Sequence, residues 1–82
     1  MPQEGGIILA MSDVQEKLHV LLDYWIEHNQ EHEGEFRDWA QKVASLSGEI
    51  AQKLQEAAEK MAAASNDLMK AKEILTKSME KD

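Results

Sequence analysis

The stretch V-A-S-L-S-G-E-I, residues 43 to 50, decides the fold. On either side of it the residues repeat with the period of an amphipathic helix, and inside it that pattern stops. The S-L-S-G cluster at 45 to 48 reads as a turn, with Ser47 placed to cap a new helix immediately after it. The helical halves, 13–46 and 48–80, are nearly equal in length. Two such helices joined by so short a turn lie antiparallel, so the expected fold is all-α: a helical hairpin roughly 50 Å long at 1.5 Å per residue.

Upstream of the turn, Val14, Leu18, Leu21, Leu22, Trp25, Phe36, Trp39, Ala40, Val43 and Leu46 fall in one apolar stripe when wound at about 100° per residue. His28, Asn29 and His32 fill the gap in that stripe, which predicts that both imidazoles point the way the core residues point. His19 falls well off it and reads as a surface residue. Ser12 and Asp13, each with Gln15 or Glu16 three residues on, have the spacing of a capping box and place the helix start at about Asp13. Gly34 interrupts the stripe without shifting its phase. One continuous helix is the reading adopted here; a break at Gly34 would give a three-helix bundle instead.

Downstream, Ile50, Leu54, Ala57, Ala58, Met61, Ala64, Ser65, Leu68, Lys72, Leu75 and Met79 make a narrow seam with the 3-4 spacing of helices packed at a shallow angle. Folding the chain at residue 47 sets residue i against about 94 minus i. Phe36 then meets Ala58, Trp39 meets Gln55, Trp25 meets Leu68 or Met69, and His28 comes opposite Asn66. Val20, Tyr24 and Ile26 are left off the seam. They mark a second contact surface, for residues 7–11 or for another subunit, and a dimeric four-helix bundle would use it.

Eighty-two residues make one domain at most, and a chain so short is helped by a metal or by self-association. Residues 1–11 read as a flexible lead-in, because Pro2, Gly5 and Gly6 oppose helix, and 12–82 as the single helical domain. Sixteen acidic residues against nine basic ones give a formal charge of −7. That balance repels phosphate backbones and anionic lipid, so neither nucleic acid nor a membrane is an expected partner. The longest apolar run, Ile7 to Met11, is too short to span a bilayer, and a cytoplasmic location is the default expectation. No cysteine is present, so any metal site must use imidazole, carboxylate and amide donors.

The residues that ask for chemistry are W-I-E-H-N-Q-E-H-E-G-E-F, 25 to 36. Side chains four apart on a helix have Cβ atoms about 5–6 Å apart, from which two imidazoles reach one ion. His28 and His32, with Glu35 as third ligand, form a candidate metal set, and Glu31 and Asn66 are further candidates to complete it. Such a set suits zinc, nickel, cobalt or iron(II), among which the sequence does not choose. The bland reading is a polar layer in a helical core, with the histidines hydrogen-bonded to Asn66 or to backbone. Asp23, Glu27, Glu31 and Glu35 form a ladder of like charges that a cation would offset, although an acidic protein carries such faces in any case. H-N-Q-E-H also fits the H-x-x-E-H pattern of inverted zinc proteases. A two-helix chain lacks the cleft, oxyanion stabiliser and distant third ligand that proteolysis needs.

The segment L-D-Y-W-I-E-H-N-Q-E-H-E-G-E-F-R-D-W-A resembles a small helical domain marked by W-x-x-H-N-x-x-H followed by an aromatic and a W-A pair. Trp25, His28, Asn29, His32, Phe36, Trp39 and Ala40 carry the resemblance, which extends over about residues 18–75. Such domains occur alone or beside the small nickel-binding accessory protein of carbon monoxide dehydrogenase maturation. The resemblance implies a metal-related accessory role, with nickel as the metal, and Gly34 departs from the helix former expected there. The functional expectation is therefore a non-enzymatic metal-binding or metal-handling accessory that dimerises. Its competitor is a helical protein-protein interaction module with structural histidines.

Overall fold

The structure, a computed structural model, describes the backbone of residues 2–80 and the side chains of residues 13–80. Two helices, α1 (Pro2–Val43) and α2 (Gly48–Glu80), pack against each other as an antiparallel hairpin measuring 66 × 22 × 14 Å. The turn forms where S-L-S-G places it. The amides of Leu46 and Ser47 close the end of α1 on the Val43 carbonyl, at 2.9 and 2.8 Å. Ser47 then caps α2: its Oγ accepts from the Ile50 amide at 3.2 Å, and its carbonyl accepts from Ala51 N–H at 3.1 Å. Glu49 in the first turn of α2 and Lys42 in the last turn of α1 each suit the helix dipole.

The first helix does not start at Asp13. Helical backbone runs from Pro2, since proline is tolerated in a first turn and Gly5 and Gly6 weaken a helix by about 1 kcal/mol each without forbidding it. Asp13 is consequently not a cap, and its carboxylate pairs with Lys17 one turn on at 3.0 Å. Whether Ile7, Ile8 and Leu9 dock as an apolar patch lies outside the described side chains. α1 passes through Gly34 unbroken, so the hairpin is not converted into three helices.

The register agrees with folding about the turn, because Asp23 on α1 forms an ion pair with Lys72 on α2. Among the described residues Leu22, Ala40, Ala58 and Ser65 are buried, and three of these four are small, which lets the helices approach closely. The α2 seam is as expected, except that Ile50 and Met79 at its ends are exposed.

On α1 the expectation needs correcting. The residues facing α2 are Leu18, Leu22, Ile26, Asn29, Glu33, Phe36, Ala40 and Val43, all buried or half-buried. They repeat at heptad spacing, and Ile26, expected off the seam, lies on it. Val14, Leu21, Trp25, Trp39 and Leu46, expected in the core, are exposed, Trp39 by 56% and Leu46 by 84%. By helical arithmetic the line through Leu21, Trp25 and Trp39 stands about 75° around α1 from the line that packs on α2. The broad apolar arc of the first helix is therefore two faces, only one of which α2 covers.

Candidate functional site

The histidines belong to the uncovered face. His28 is exposed and His32 half-buried, so the expectation that both look into the hairpin core is overturned. Their rings stand one turn apart, edge to face at 86°, with centroids 4.4 Å apart. Tyr24 stacks on His28 from the N-terminal side at 5.6 Å, and Phe36 stacks on His32 from the other at 5.8 Å. The column Tyr24, His28, His32, Phe36 follows from i, i+4 spacing on an unbroken helix, which places each ring over the next. That spacing is legible in the sequence, whereas seam periodicity separates Tyr24, off the seam, from Phe36, on it, and so does not show that both flank the histidines.

Within the column the two Nε2 atoms are 3.0 Å apart, and Nδ1 of His32 is 3.1 Å from Glu35 Oε1. A carboxylate only accepts, so Nδ1 of His32 is the donor in that contact, and in the neutral ring its Nε2 then presents a lone pair to which His28 Nε2–H donates. Two nitrogens bound at 2.0–2.1 Å to one ion, with about 90–110° between the bonds, are about 2.9–3.4 Å apart. The observed separation falls in that range. Glu35 engages the nitrogen on the far side of the ring from this point, so in this geometry its carboxylate orients the His32 ring and does not itself point at the place where the two Nε2 atoms converge. Glu31 and Asn66, the other candidate ligands, are exposed, and neither is hydrogen-bonded to an imidazole among the described residues. No group of three or more His, Cys, Asp or Glu side chains is assembled for a metal among the described residues. One chain offers two converging imidazoles.

The acidic ladder is partly relieved within the hairpin. The hydrogen bond from Lys72 holds the Asp23 carboxyl below the usual carboxylate range, partial burial works the other way, and the charges of Lys72 and His19 add to the lowering. His19, read as a plain surface residue, is half-buried with Nδ1 3.8 Å from that carboxylate. Glu33, on the seam, takes Arg37 Nε–H at 3.2 Å. Farther along the uncovered face the Lys42 ammonium lies 4.5 Å from the Trp39 ring centroid, a cation–π contact. No helix among the described residues is long and apolar enough to cross a membrane.

A family model described as a domain of unknown function, DUF8180, matches residues 18–75, a span that begins on the first seam leucine and ends at Leu75 of α2. A protein of Archaeoglobus fulgidus described as uncharacterized is 53% identical over 45 residues, covering 55% of this chain and 73% of the relative. No solved structure matches the chain.

Proposed function

The chain belongs to this family, whose description names no activity, and from the geometry of its histidines we propose a non-enzymatic metal-binding or metal-handling accessory. The carrying observation is the 3.0 Å approach of the His28 and His32 Nε2 atoms. Moving the His28 proton from Nε2 to Nδ1, the other neutral tautomer of the ring, turns that hydrogen bond into a pair of lone pairs aimed at one point. Glu35 fixes the tautomer and orientation of His32 for the same task. Nitrogen donors without thiolate suit nickel or zinc, and nickel is the metal that the W-x-x-H-N-x-x-H resemblance favours. In the single hairpin the pair stands on an open helix surface, where a metal reaches it directly and no cleft sequesters a substrate.

Titration with Ni(II) and Zn(II), followed by thermal unfolding, tests this reading. A metal at 100 times its dissociation constant stabilises by about 2.7 kcal/mol, and the His28→Ala/His32→Ala chain should show none of that. Identical responses from the two chains would remove the metal role. Replacing Glu35 by glutamine should weaken binding about 10–100-fold, as expected for loss of a ligand's orienting partner. The second reading, a module that docks a protein partner, draws on the exposure of Trp25 and Trp39. It requires no metal response.

A further inference from the structure

The uncovered face of α1 is regular. Positions 14, 21, 25, 28, 32, 35, 39 and 42 follow one another at intervals of three, four or seven, the spacing that lets one helix pack along another. Val14, Leu21, Trp25 and Trp39 on this line are 59, 43, 39 and 56% exposed, and the histidine pair stands at its midpoint.

We infer that two copies of the chain pair along this line in antiparallel sense, and that the two His28 and two His32 imidazoles together enclose one transition-metal ion. This rests on the metal-binding reading of the histidines and adds what that reading leaves incomplete, namely donors beyond the two one chain supplies. A twofold axis level with residue 30 sets position i of one copy against 60 minus i of the other. Leu21 then meets Trp39, Val14 falls level with Leu46 beyond the end of α1, and His28 meets His32. Every large apolar residue on the line thus gains an apolar neighbour, except Trp25, which meets Glu35 and covers its contact with His32.

A parallel pairing would set each position against itself. It would oppose Glu35 to Glu35 and Lys42 to Lys42, the two charged positions on the line, and like charges that close are destabilising. The antiparallel arrangement avoids both clashes. Glu27, Glu31 and Asp38 lie beside the line, so each copy carries an acidic margin toward the other. A divalent cation at the axis offsets that repulsion, and metal binding and dimerisation therefore strengthen each other equally.

Calorimetric titration with Ni(II) and Zn(II), joined to sedimentation velocity, reads both quantities. The expected result is one ion per two chains and a dimer at least tenfold tighter with metal than with chelator. Trp25→Glu, at a position exposed in the hairpin, should leave helix content unchanged, abolish the dimer and weaken metal binding at least tenfold. Mixing Leu21→Cys chains with Trp39→Cys chains, in a protein with no other cysteine, should yield the mixed disulfide in preference to either homodisulfide. One ion per chain on a monomer overturns the shared site and leaves the metal-binding reading standing. Absence of metal binding overturns both, and preferential Leu21→Cys homodisulfide overturns the antiparallel arrangement.

Discussion

Replacing Gly34 by alanine should stabilise the protein, and the size of the gain follows from where the residue sits. Gly34 lies inside unbroken α1, no residue there has a positive φ, and a Cβ built on it meets no atom within 4 Å. By helical arithmetic its direction is more than about 100° from both the α2-facing line and the uncovered apolar line. Neither packing nor pairing should therefore feel the methyl group. What remains is the intrinsic difference between glycine and alanine in a helix, about 1 kcal/mol, part of it from reduced freedom of the unfolded chain. For a chain of this size that raises the melting temperature by roughly 4–8 °C. Far-ultraviolet circular dichroism during heating measures it, with both chains at one concentration and in chelator, so that neither dimerisation nor metal contributes. An unchanged or lowered melting temperature would refute a continuous, open-sided helix at residue 34 and restore the three-helix alternative.

Three further outcomes are expected. Ser65 Oγ is buried without a hydrogen-bond partner, so Ser65→Ala should stabilise by about 1 kcal/mol; a loss in urea unfolding would mean that the hydroxyl is satisfied. Ser47→Ala deletes the cap on Ile50 and should cost about 1 kcal/mol, whereas Ser45→Ala, used as control, should change little in the same assay. Because the folded-state pKa of Asp23 is depressed by Lys72, its stabilising contribution is present at neutral pH and is lost as pH falls through the acid end of the carboxylate range. The stability difference between wild type and Asp23→Asn should therefore shrink as pH is lowered below about 4, and a difference independent of pH would show that the ion pair contributes nothing.

The hairpin was legible in the sequence because its determinants are local. Ser47 carries a cap oxygen whatever lies around it, and the spacing of 24, 28, 32 and 36 puts those rings in one column on any straight helix. The proximity of His28 to His32 was readable for the same reason. The direction in which the pair points was not. Leu18 to Val43 on one side and Val14 to Trp39 on the other merge into a single apolar arc, broader than the strip one neighbouring helix covers. Periodicity assigns each residue an angle and does not say which sector of the arc the partner occupies. That choice was made by packing: Ala40, Ala58 and Ser65 allow the closest approach of the two backbones, Asp23 and Lys72 hold the register, and together they turn the α2-facing line toward Leu22 and Phe36. Local chemistry thus determined two helices, their turn and a histidine pair. Only the packed hairpin decided that the pair, with Trp25 and Trp39 beside it, faces outward, because close contact between helix surfaces depends on residues distant in the chain.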